Sequence, residues 1–120
     1  MNPLVQLQAF GQSVWYDDIH RDLICSGALK ALIDNDGLLG MTSNPSIFEK
    51  AIRMGHDYDD LFSEVSAKSV GLKEIYETLA IRDIQDAADL FYPVYEKTHK
   101  KDGYVSLEVS PDLAYNTEGT

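Results

Sequence analysis

The chain is poor in basic residues and has almost no means of covalent cross-linking. Arginine occurs only at Arg21, Arg53 and Arg82, and ten lysines and arginines face twenty aspartates and glutamates, for a net charge of -10 at pH 7. That balance argues against nucleic acid and against an anionic membrane surface as partners. The arginines are scattered, so they form no obvious clamp for a phosphorylated ligand. Cys25 is the sole cysteine, so an internal disulfide is excluded, which fits a reducing cytoplasm. It falls in an apolar helical pattern and reads as a small buried hydrophobe. Within these 120 residues there is no signal-peptide core and no apolar run long enough to span a bilayer. Internal repeats, low-complexity tracts and Pro/Gly-rich linkers are also missing.

What is present is an alternation of short strands and helices. Leu4, Leu7 and Phe10 predict a short leading helix over 3–10. A strand is expected at 13–17, then a helix over about 19–33 with Asp18 as its N-cap. Asp34-Asn35-Asp36-Gly37 reads as a turn and 38–43 as a second strand. Asn44 and Pro45 open the next helix, because proline suits the first helical position. Gly55 should break it and Asp57 cap its successor. From His56 to Lys97 the pattern is helical almost throughout, with Ile81, Ile84, Ala88, Phe91 and Tyr95 as one buried stripe. A turn at 100–103 precedes a third strand at 104–109. Such alternation suggests parallel pairing through βαβ crossovers.

Side chains alternate between the two faces of a strand. Ser13, Trp15 and Asp17 then share one face, as do Gly40, Thr42 and Asn44, and Tyr104, Ser106 and Glu108. Val105, Leu107 and Val109 take the reverse face. Each strand has one mixed, polar-tipped face and one face that can pack under helices. A closed barrel with chemistry at the carboxyl ends of its strands accounts for this better than an open doubly wound sheet, which needs both faces apolar.

The polar tips are the candidate functional groups. Asp17 and Glu108 are carboxylates with apolar neighbours, and burial would raise their pKa and suit them to proton transfer. The plainer roles are helix capping for Asp17, for which Asp18 is better placed, and a buried ion pair for Glu108. Asn44 offers a donor and an acceptor, although asparagine is also among the best helix caps. Thr42 and Ser106 could bind a substrate or a water, or be small hydroxyls satisfied inside a barrel. The run His56-Asp57-Tyr58-Asp59-Asp60 resembles a metal site only in composition. Its acidic residues suit a first helical turn, and no spaced His/Cys set accompanies it. His20 and His99 read as surface residues. No glycine-rich phosphate loop is present.

The run Gly40-Met41-Thr42-Ser43-Asn44-Pro45-Ser46-Ile47-Phe48 resembles the first signature of the transaldolases. Gln12 to Asp17 is similar to that family's first strand, Phe48 to Ile52 to its second helix in the longer bacterial type, and Gly103 to Pro111 to its third strand. Met41 departs from the signature, which usually has a smaller or branched residue there. By parity it faces the helices, so packing rather than chemistry is affected.

The resemblance implies a (β/α)8 TIM-type barrel of the class I aldolase kind, of which about the first three strand–helix units are expected in residues 1–120 as part of a single domain. It implies transfer of a dihydroxyacetone unit from sedoheptulose 7-phosphate to glyceraldehyde 3-phosphate through a lysine Schiff base, with no metal or organic cofactor. By the same resemblance Asp17 is the acid/base at the bond that breaks, and Glu108 shuttles protons during Schiff-base formation. Asn44 binds substrate hydroxyls, and Thr42 and Ser106 line the site.

Such a barrel typically needs ~250 residues. The chain is therefore expected to be the amino-terminal portion of an enzyme, inactive and unstable alone, with the Schiff-base lysine and the phosphate-binding bases on later strands. Two other readings stay open: a non-catalytic, partner-binding remnant of the family, and a barrel hydrolase using the Asp17 and Glu108 carboxylates. Lysines fall only in predicted helices and turns, so none is a persuasive amine nucleophile. Treatment of this chain with fructose 6-phosphate and borohydride should leave Lys30, Lys50, Lys68, Lys73, Lys97, Lys100 and Lys101 unlabelled. A reduced adduct on any of them, seen by mass spectrometry, would overturn that reading.

Overall fold

The computed structural model describes residues 2–68 and 71–120. Helix α1 (Pro3–Gln6) runs into a 3-10 turn (Leu7–Phe10), and Asn2 caps it by accepting from the Leu4 N–H at 2.9 Å. Strand β1 (Trp15–Asp17) is followed by α2 (Arg21–Cys25) and α3 (Ala28–Asp36), then β2 (Gly40–Thr42). Helices α4 (Pro45–Met54), α5 (Asp59–Ser66) and α6 (Leu72–Lys97) lead to β3 (Tyr104–Ser106), and a 3-10 turn (Pro111–Leu113) follows. The three strands pair in parallel in the order β1-β2-β3.

The strands are shorter than the sequence suggests. Backbone pairing continues below them, where the Leu39 N–H donates to the Val14 carbonyl and the Gly103 N–H to the Leu39 carbonyl. The helix expected over 19–33 is split in two at Gly27, whose φ of 85° lies in the left-handed region that glycine enters without strain. Helix α3 then runs on through the residues expected to turn, with Gly37 as its left-handed cap.

Two of the expected caps do not form. Asp18 faces the His20 ring at 3.0 Å, so His20 is half-buried rather than a free surface residue. The Arg21 N–H at the start of α2 is met instead by the Tyr58 hydroxyl at 2.8 Å. Asp57 does not cap α5; Tyr58 occupies the N-cap position without a side-chain cap. Part of the helical reading from 56 to 97 falls on residues 69 and 70, outside the described residues.

Strand parity holds within the three paired strands. Tyr16, Met41 and Val105 lie in register on the face that meets the helices, and Met41 is fully buried there with Leu29, Ala87 and Phe91. A second apolar cluster joins α4, α5 and the first half of α6 through Tyr58, Val65, Ile75 and Leu79. The buried stripe of α6 is Ile75, Leu79, Asp83, Ala87 and Phe91, so the expected stripe is displaced: Ile81 and Ala88 are exposed. Cys25 is exposed as well, because the short α2 turns it away from the core.

Asp83 interrupts the apolar stripe and is fully buried. Its carboxylate accepts from the Tyr58 hydroxyl at 2.5 Å and from Arg21 Nη1 at 2.8 Å, while the same nitrogen donates to Asp86 at 2.7 Å. Burial works against the Arg21 charge, but the bonds to Asp83 and Asp86 outweigh it and hold its pKa above the ordinary value. Burial also pushes the Asp83 carboxyl up, and the balance stays upward against the opposing pull of Tyr58 and Arg21. Removing one partner of such a buried pair costs roughly 3–5 kcal/mol, because it strands the other.

Burial and the neighbouring Asp83 raise the Tyr58 phenol above its ordinary value of about 10. The unfolded phenol releases its proton near pH ~10 while the folded one keeps it. The stability this supplies is complete below pH ~10 and is lost as the pH climbs above it. Tyr58→Phe should cost about 1–3 kcal/mol at pH ~8 in urea unfolding, and the gap to the parent protein should narrow by pH ~11. A gap that stays constant would mean the phenol is not held protonated.

Candidate active site

The open face of the sheet carries two rows of side chains. Trp15, Gly40 and Tyr104 are in register, and one step toward the carboxyl ends lie Asp17, Thr42 and Ser106. Adjacent strands stand about 4.8 Å apart, so the second row is a carboxylate and two hydroxyls side by side at the strand exits. Asp17 and Ser106 are exposed and Thr42 is half-buried. Among the described residues the Asp17 carboxylate has no hydrogen-bond partner, and the Thr42 hydroxyl makes only a long 3.4 Å contact to the Ser43 carbonyl. The hydrogen-bonding capacity of the row is therefore largely unused among the described residues.

The lower row explains Gly40. A Cβ there would lie 2.3 Å from the Trp15 ring, so the indole sits directly over the glycine. A glycine inside a strand pattern is the sequence signal for such a close approach.

Asn44 and Glu108 lie outside the row. Asn44 has extended backbone, and its carboxamide oxygen accepts from the Ser46 and Ile47 N–H groups at 3.2 and 3.4 Å, capping α4 ahead of Pro45. Its oxygen is committed to the cap, and its NH₂ makes no hydrogen bond among the described residues. Glu108 stands past the end of β3 and is exposed, not buried among apolar neighbours. It edges a small recess with Ile19, Ser43, Pro45, Tyr76 and Leu107. Burial, and then the Glu49 and Glu108 carboxylates, raise the Tyr76 phenol above its ordinary value. Strand parity does not carry Glu108 onto the open face, because the strand ends two residues earlier.

Sequence reasoning overlooked Ser43, which is buried between the exits of β2 and β3. It also overlooked the Arg21, Tyr58, Asp83 and Asp86 assembly behind the sheet. The only local sign of that assembly is the spacing of Asp83 and Asp86, which puts both carboxylates on one face of α6. No three His, Cys, Asp or Glu side chains converge as a metal site among the described residues. No described helix is long and apolar enough to cross a membrane.

A parallel sheet with helices on one face and a polar row at its strand exits defines an α/β protein. Residues 14–120 match the family model for Transaldolase/Fructose-6-phosphate aldolase, and the chain belongs to that family. It is 48% identical over 120 residues to a transaldolase of Trichodesmium erythraeum, a match covering 99% of this chain and 31% of the relative. It is 47% identical to transaldolase 2 of a Nostoc species, over 100% of this chain and 32% of that protein. A transaldolase of Thiobacillus denitrificans is 45% identical, with 100% and 33% covered. The chain thus spans about a third of the length of the curated relatives it matches.

Gly40→Ala should force the Trp15 ring off its strand and destabilise the protein by about 1–3 kcal/mol. A lowered thermal midpoint in circular dichroism checks this, and an unchanged midpoint would mean that the indole tilts away freely.

Proposed function

We propose that this chain supplies the first three strands of a (β/α)8 barrel, with the helices that follow the first two, and, within it, part of a transaldolase active site. The reaction would move a dihydroxyacetone unit from sedoheptulose 7-phosphate to glyceraldehyde 3-phosphate in the cytoplasm, as a step of the pentose phosphate pathway. The observation that carries this reading is the in-register row of Asp17, Thr42 and Ser106 at the strand exits, in a chain 45–48% identical to transaldolases. In a barrel enzyme that edge of the sheet is where chemistry sits.

In this reading a lysine on a later strand binds the ketose as a Schiff base, and no metal or organic cofactor takes part. Asp17 removes the proton from the hydroxyl next to the breaking C–C bond and returns it when the acceptor aldehyde is attacked. An exposed carboxylate without a protein partner is suited to that exchange, since no internal bond has to be broken first. Glu108 relays protons through a water while the Schiff base forms and hydrolyses. Thr42, Ser106 and the Asn44 NH₂ hold substrate hydroxyls, supported by the unfilled hydrogen-bonding capacity of all three groups. The phosphates of the sugars would be met by basic residues of later strands, since this segment gathers none at the row.

The test is Asp17→Asn in the full-length protein. Turnover should fall by about two to four orders of magnitude, while trapping of fructose 6-phosphate by borohydride stays largely intact, because only the C–C step loses its base. Unchanged turnover would remove Asp17 from the mechanism.

A further inference from the structure

We infer that Ser43 is a positioning residue for Glu108, an inference that rests on the role proposed above for Glu108. Strands β2 and β3 end at Thr42 and Ser106, yet their pairing runs one step further. The Ser43 N–H donates to the Ser106 carbonyl at 3.0 Å, as a parallel ladder requires. The next ladder bond would run from the Glu108 N–H to the Ser43 carbonyl. The Glu108 N–H donates instead to Ser43 Oγ, at 2.9 Å. The Ser43 carbonyl is turned away and faces the Thr42 hydroxyl at 3.4 Å.

A side chain therefore replaces the main chain as acceptor where β2 must leave the sheet. The cause is local. Asn44 caps α4 and Pro45 occupies its first turn, so the backbone bends out of the ladder one residue after Thr42. The Ser43 hydroxyl fills the gap. By parity it shares the helix-facing side with Met41, and the residue is only 8% exposed, so water competes poorly for the bond. The hydroxyl thus fixes the Glu108 backbone beside the exit of β2 and ends β3 where it does. Ser43 touches no reacting atom. It acts by holding the residue that delivers the proton.

Alanine removes the acceptor, threonine keeps it, and cysteine matches the shape of serine but accepts weakly. In the full-length protein, Ser43→Ala should slow borohydride-trappable Schiff-base formation by about tenfold or more with KM little changed, and Ser43→Thr should restore the rate. Glu108→Gln is measured alongside. Hydrogen exchange at the Glu108 amide should accelerate in Ser43→Ala and stay slow in Ser43→Thr. If Ser43→Ala does not fold, Ser43→Cys takes its place with the same expectation.

If Glu108→Gln forms the Schiff base at the parent rate, the proposed role of Glu108 fails, and the inference with it. Slow trapping in Glu108→Gln beside parent-like trapping in Ser43→Ala would overturn the positioning role alone. So would an equal loss in the alanine and threonine variants, or a Glu108 amide that exchanges no faster without the hydroxyl.

Discussion

Most of what lies behind the sheet is organised by one guanidinium. Arg21 begins α2, immediately after the loop that leaves Asp17, and it reaches Asp83 and Asp86 in the middle of α6. Tyr58 closes the arrangement by donating to Asp83 and accepting from the Arg21 N–H. The loop after β1, the start of α5 and the longest helix are thereby tied at one point, between the two apolar clusters. Whole domains are stable by only about 5–15 kcal/mol, so a node worth several kcal/mol when broken is a large share of what is available. It also gives α6 a fixed rotation. Asp83 can reach Arg21 only with Leu79 and Ala87 turned inward.

That fixed back leaves the front of the sheet open. The helix side is filled by Met41 and its neighbours, and the polar residues of the strand exits are left on the other side or at the rim. The parallel register then sets the row without further adjustment: once Asp17 is opposite Thr42, Ser106 follows. The exits of β2 and β3 are joined through Ser43. The rigid frame and the placement of the polar groups therefore rest on different interactions, one ionic and the other a pair of hydrogen bonds at the ends of two strands, and both join residues far apart in the chain, 62 and 65 positions for Arg21–Asp83 and Ser43–Glu108.

The face alternation was legible in the sequence because it depends on a two-residue period that tertiary contacts seldom reverse. Asn44 and Pro45 at the start of α4 were legible for a similar reason, since capping is decided within a few residues. The inward face of α6 was not. A charge within an apolar stripe reads as exposed, and the cation that permits Asp83 to be buried lies 62 residues away in the chain. The failed cap at Asp18 has a related cause in the same assembly, because the hydroxyl of Tyr58, from a later element, meets the Arg21 N–H in place of a local side chain. Of the candidate site residues, Asp17, Thr42 and Ser106 fell where parity placed them. Glu108 did not, because its strand stops at a hydroxyl that reads as one more small polar residue in a signature.

The indole over Gly40 gives the open face an optical property of its own. Trp15 is the sole tryptophan, it is 41% exposed, and it stands two residues before Asp17 on the same face of the same strand. Indole emission moves to shorter wavelength as water leaves the ring and is quenched or enhanced by nearby charge. All tryptophan fluorescence of this chain therefore comes from a single point on the face that bears the polar row. Whatever covers that face, whether further strands, a sugar or another protein, must change the colour or the yield of that one emitter.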